Sequence, residues 1–211
     1  MKKHVSLPCL LVALGGMLLA GSVATGDVRP TAADADRLQQ KLVTIAAYGA
    51  ARSREAHLTP ISERECNAFF QFRMKETLPA GVTEPSLRIL GNGRLAGSAV
   101  VDLDAVRESR SRGRSGGSSG GDWLDPINLL SGKLPATAQG TLHTRDGVAQ
   151  FRVESAEIGG VAVPKALLQQ VVAYYSRTPD NPEGFDLEAP FRLPSGIREI
   201  RVGTGEAVVV Q

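Results

Sequence analysis

Strict alternation of apolar and polar positions recurs in three stretches of the chain, each broken by a short glycine-containing turn. Residues 94–104 set Leu95, Ala99, Val101 and Leu103 against Arg94, Ser98, Asp102 and Asp104. With Gly91-Asn92-Gly93 and residues 87–90, they predict a β-hairpin. Residues 136–144, Asp146-Gly147 and residues 148–158 predict a second, with Ala149, Phe151 and Val153 facing one way and Gln150, Arg152 and Glu154 the other. The apolar phase slips between Val153 and Ile158, which places a β-bulge near Ser155 to Glu157. Residues 197–202, Gly203-Thr204-Gly205 and residues 206–210 predict a third hairpin. Strands with one wet face and turns this short imply an antiparallel, curved sheet covered on its other face.

Helical periodicity occupies three other stretches. Thr31 stands as a cap for a helix over residues 31–51, with Asp34 three positions on and Leu38, Leu42, Ile45 and Gly49 at helical spacing. Its stripe is narrow, so it belongs on the outside. Ser62 and Glu65 have capping-box spacing, flanked by Ile61 and Cys66 at the positions of a hydrophobic staple. Phe69, Phe70 and Met74 continue that helix until LPAGV stops it, and Phe72 joins them to place half of the chain's six phenylalanines within four positions. The third helix follows Gly159-Gly160 and opens at Pro164, where a missing N–H costs nothing. Over residues 164–176, Leu167, Leu168, Val171, Val172, Tyr174 and Tyr175 share an arc of about 160° at helical pitch. Six such side chains, once buried, contribute on the order of 10 kcal/mol, so this face demands a covering. Either it closes a dry core against the sheet, or sheet and helix stand apart around an apolar cavity.

Composition narrows the setting. Lys2 and Lys3, an apolar run from Leu7 to Gly21 and small residues to Ala24 have the form of a secretory signal peptide over residues 1–24. The run is shorter than the roughly 20 residues of a membrane span. Cleavage after Ala24 takes Cys9 and two of the 24 basic residues, so the remaining 22 balance 22 acidic ones. That neutrality offers nothing to a nucleic-acid partner. Residues 25–211 make a single α+β domain. Cys66 alone remains, which excludes an internal disulfide and any Cys-x-x-Cys metal site. Residues 107–122 carry Arg107, Arg110, Arg112 and Arg114 followed by Gly and Ser, the composition of a flexible loop. Those arginines suit transient contact with anionic headgroups, and equally a solvated tether. Beyond them, WLDPINLL supplies a short helical or turn-like element.

Candidate chemistry is sparse. His143 reads as a solvated strand residue, and His57 lies before Thr59-Pro60; no Gly-x-Ser-x-Gly elbow supplies a nucleophile. Asp102 and Asp104 on one strand face fall short of a calcium site. Cys66 at the start of a helix would be reactive if open to solvent, but its staple position argues for burial. The expectation is therefore a non-enzymatic protein with no cofactor and no metal.

The SERECNAFF helix at 62–70, ahead of antiparallel hairpins, and the ESAEIGGVAVPKALLQQVV step at 154–172 resemble secreted bacterial proteins of the TULIP-like, tubular lipid-binding type, such as the LmeA-like and YceB-like groups. In those, a helix opening Leu/Ile-Ser/Thr-x-x-x-x-Asn precedes the sheet and a GGxxxP step leads from strand to helix. The C-terminal stretch 189–211 looks like a closing strand pair of a small secreted family. The resemblance implies a bent sheet wrapped on amphipathic helices, with an apolar seam for acyl or isoprenoid chains. The resulting expectation is a periplasmic or extracellular protein that carries or presents a lipid or other apolar molecule; the alternative is a structural or assembly role in the cell envelope. The expected lining from the helices is Phe69, Phe70, Leu167, Leu168, Val171, Val172 and Tyr175. From the sheet it is Phe151 and Val153.

Overall fold

The computed structural model describes residues 29–51, 55–76, 78–113, 131–175, 182–184 and 186–211. The signal-peptide segment, Arg114 and the WLDPINLL stretch lie outside the described residues.

Local chemistry sets the first two helices. Thr31 caps α1 (Ala32–Ala51): its hydroxyl accepts the Asp34 N–H at 3.3 Å while Asp34 Oδ2 accepts the Thr31 N–H at 2.9 Å. Ser62 and Glu65 do the same for α2 (Glu63–Arg73), the full capping box expected from their spacing. Ahead of α2 runs a strand that periodicity did not expose, β1 (Leu58–Ser62), with Pro60 in its middle. It is an edge strand, where proline is tolerated.

The first two predicted hairpins form as β2 (Val82–Gly91) with β3 (Arg94–Asp102) and β4 (Lys133–Arg145) with β5 (Val148–Ile158). Asn92 and Gly93 both take positive φ, as a two-residue hairpin turn requires. One expectation fails here: Leu103 and Asp104 leave the strand and begin α3 (Leu103–Gly113), so residues 107–113 are helical and not a loop. Asp102 is the reason. Its carboxylate accepts the N–H groups of Asp104 and Ala105 at 3.1 Å each and so starts the helix.

After β5, Gly159 and Gly160 turn the chain into β6 (Val161–Ala162), which pairs back onto Glu157 and Ile158. Two residues later the Pro164 carbonyl accepts the N–H groups of Leu167 and Leu168, opening α4 (Lys165–Tyr175). Strand β7 (Phe191–Arg192) pairs with the start of β5. The last hairpin, β8 (Glu199–Val202) and β9 (Glu206–Val210), does not join this sheet.

The fold is α+β with two antiparallel sheets: β1-β9-β8, and β2-β3-β4-β5-β6 with β7 on β5. The small sheet meets the large one at its hairpin turns, where Thr144 Oγ1 accepts the Ile200 N–H at 2.9 Å and Leu90 bridges to Thr204. Ile45 of α1, Ile197 and Val209 form a buried cluster there, with Ile61, Leu193 and Ile200 packed on it. The dry core thus sits at the turn end of the large sheet.

Helices α1 and α2 are joined by charge. Lys41 Nζ lies 2.8 Å from both Glu65 oxygens, and Arg64 lies 2.9 Å from Asp34, whose carboxylate is also met by Arg37. Thr31 holds the Asp34 carboxyl below the usual range against the opposing effect of burial, with Arg64 and Arg37 adding to it. Burial pushes Glu65 up, but Lys41 and Ser62 together outweigh it and leave the carboxyl lowered. Groups depressed on folding contribute stability in full above the ordinary carboxylate range, about pH 4–5, and lose it as pH falls through their folded values. Glu65→Gln is expected to cost about 2 kcal/mol at pH 7, between the surface and buried limits for an ion pair, and to make the acid limb of stability shallower. Thermal melts of both proteins from pH 7 to pH 3 check this.

Candidate functional site

Away from the turns, the inner face of the large sheet changes character. In successive registered rows it presents Ile89, Leu95, Gly140 and Val153, then Leu87, Gly97, Ala138 and Ala156, then Ala99, Ala136 and Ile158. The opposite face carries exposed Ser98, Thr137 and Glu157. Between Leu87 at one edge and Ile158 at the other, the second and third rows are glycine and alanine, so no large side chain rises from the middle of the sheet.

The bulge keeps those rows intact. Gln139 pairs with Ser155 and Gly140 with Val153, so Glu154 is the extra residue, one position before the expected stretch. Its carboxylate is drawn off the ladder, accepting Gln139 Nε2 at 3.1 Å and the Thr141 hydroxyl at 2.5 Å. Without this insertion, Ala156 and Ile158 would turn to the wet face while Val153 stayed inside.

What remains over the small-residue floor is a groove of about 520 Å3. Phe70 of α2, Leu103 and Val106 of α3, and Leu168 and Val172 of α4 form its sides. Val82, Pro85 and Val101 also line it. Helix α2 stands beside the sheet because polar groups hold it there. Asn67 Nδ2 donates to the Leu87 carbonyl at 2.9 Å, Asn67 Oδ1 accepts the Leu87 N–H at 2.7 Å, and Glu63 Oε2 accepts the Ile89 N–H at 2.7 Å. Side chains thereby occupy the free edge of β2 as a neighbouring strand would.

Of the expected lining residues, Phe70, Leu168 and Val172 wall this groove. Val153 is buried and, with Leu168, lines a smaller adjoining cavity of about 270 Å3. Phe69 and Leu167 are half-buried and wall neither cavity. Phe151 is taken up elsewhere: a Cβ on Gly140 would stand 2.6 Å from the Phe151 ring, so that ring covers the glycine across the strand pair. The side chains of Val171 and Tyr175 lie outside the described residues. Phe72, counted in the aromatic cluster of α2, is 41% exposed. Sequence reasoning missed the floor itself, since Gly97, Ala99, Ala136, Ala138 and Ala156 carry no polarity signal. Only their small size at alternating strand positions marks them.

Other candidate chemistry is committed to structure. Asp102 starts α3, and Asp104 pairs with Arg107 at 2.6 Å and accepts the Gly132 N–H at 3.0 Å, so neither is left on a strand face for calcium. His57 stacks on Tyr48 with ring centroids 4.7 Å apart, and His143 is exposed on β4. Among the described residues no helix is long and apolar enough to cross a membrane. Comparison of the chain with protein-family models, curated proteins and solved structures finds no match.

Cys66 is half-buried, and burial, with Glu65 and Glu63 adding to it, pushes its thiol up to about 11. The reactive species is the thiolate. In the chain lacking residues 1–24, where Cys66 is the sole thiol, maleimide labelling at pH 7.5 is expected to run about a hundredfold slower folded than in denaturant. Stopped-time labelling read by intact mass checks it.

Proposed function

We propose that this protein binds a lipid or similar apolar molecule in the groove between the small-residue floor and helices α2, α3 and α4, and carries or presents it in the cell envelope after export. The groove itself supports this reading. Its volume falls within the range of small-ligand sites, about 300–1,000 Å3, and its walls are almost wholly apolar. About ten methylenes laid along it would contribute roughly 8 kcal/mol before the cost of association. Desolvation of the apolar walls by an apolar chain is the binding chemistry that the described residues offer there. The leader-like N-terminal sequence supports an envelope location, and the likeness to tubular lipid-binding proteins points the same way.

Gly97 gives a direct test. A Cβ there would meet only the Ser86 carbonyl, at 3.8 Å, so a larger side chain has room to grow into the groove. Gly97→Leu combined with Ala138→Leu is expected to weaken binding of a fluorescent fatty acid at least tenfold, while the melting temperature holds or rises as the groove fills. Fluorescence titration and thermal melts read both. A wild-type protein that ignores the probe and carries no lipid when purified under native conditions refutes the reading.

A further inference from the structure

The groove adjoins a cavity at each flank, and the two differ in what their polar groups are doing. At the α4 flank, across Leu168, lies the smaller cavity with Lys165, Gln169, Asp186 and Glu188. These are engaged within the protein: Lys165 Nζ is 3.0 Å from Glu188 Oε1, Gln169 Oε1 accepts the Leu187 N–H at 2.8 Å, and Asp186 Oδ1 accepts the Glu188 N–H at 2.9 Å. At the α2 flank, the groove shares Phe70, Val82, Pro85 and Ser86 with a larger cavity of about 680 Å3. Gln71, Lys75 and Glu84 also wall that cavity, and their side chains have no hydrogen-bond or ion-pair partner among the described residues.

A second feature marks the same flank. Glu84 has φ of 52°, the left-handed region, although it is not glycine and stands directly before Pro85. It sits where the β2–β3 register slips between Thr83 and Ser86. The irregularity places Glu84 in the wall of one cavity and Pro85 in the wall shared by both.

Resting on the apolar-ligand reading above, we propose that the bound molecule is an amphiphile with a zwitterionic head, its tail in the groove and its head in the α2-flank cavity against Lys75, Glu84 and Gln71. Charge complementarity selects such a head. A purely anionic head gains Lys75 but meets Glu84, a purely cationic head does the reverse, and a head bearing both charges satisfies the two together. The Gln71 amide offers a donor and an acceptor to either part. At the opposite flank, a head would first have to displace partners that Lys165 and Gln169 already have.

Four single-chain ligands with one common saturated tail separate the possibilities: an alkyl phosphoethanolamine, a fatty acid, an alkylamine and an alcohol. The phosphoethanolamine is expected to bind about two- to fivefold more tightly than the alcohol, the scale of exposed ion pairs, with the advantage shrinking as salt rises. Lys75→Glu should shift preference toward the alkylamine and Glu84→Lys toward the fatty acid, while Lys165→Glu leaves the order unchanged. If all four bind equally, or if Lys165→Glu and not Lys75→Glu reorders them, the head assignment is overturned and the groove reading stands. If none of the four binds, the groove reading falls and this proposal with it.

Discussion

The arrangement of this molecule depends on how α2 is fastened. Asn67 exchanges two hydrogen bonds with Leu87 while Glu63 accepts from Ile89, so the helix is held to the edge of β2 by polar groups and not pressed onto the sheet face by apolar ones. Each such bond contributes about 1 kcal/mol net, more where a carboxylate accepts. Leaving the Leu87 N–H and carbonyl unpaired at that edge would cost comparably. The Ser62 capping box and the Lys41 contact to Glu65 fix the start of the same helix. A helix so tethered at several points cannot settle across the floor of the large sheet.

That floor would in any case be weak glue. A glycine and alanines bury little apolar area, so a helix laid over Gly97, Ala99, Ala136 and Ala138 would gain far less than one laid over leucines. A cluster of large apolar side chains instead closes the turn end, where Ile45, Ile197 and Val209 pack against one another. The two ends of the large sheet therefore divide the work: one supplies stability through packing, and the other keeps volume.

Much of this was legible from periodicity. Three hairpins, the capping box and the helix after Pro164 follow from spacing alone, and the phase slip in β5 located its bulge to within one residue. The misses have physical causes. Strand β1 contains Pro60, which argues against a strand unless the strand is at an edge, and edges are set by tertiary pairing with β9. Helix α3 is rich in arginine and serine, and Leu103 also fits the alternation of β3; only the Asp102 carboxylate turning back to cap the next N–H groups decides between them. The candidate site was legible where a helix face carries it, as with Phe70, Leu168 and Val172. It was hidden where it depends on which residue lies across a strand pair, as with Phe151 over Gly140.

The same floor constrains what a site of this kind can discriminate. One glycine and four alanines give a surface without side-chain notches, so a chain lying on it would meet nearly uniform contact along its length, and a branch or double bond would meet no dedicated recess. Differences between apolar chains then reduce to how many methylenes are buried, each contributing about 0.8 kcal/mol. Selection among molecules of similar length has to come from the flanks, where the walls carry charge and hydrogen-bonding groups. If the groove takes the apolar ligand proposed for it, the source of affinity is separate from the source of identity: the sheet interior supplies the first, and the polar ends of the groove supply the second.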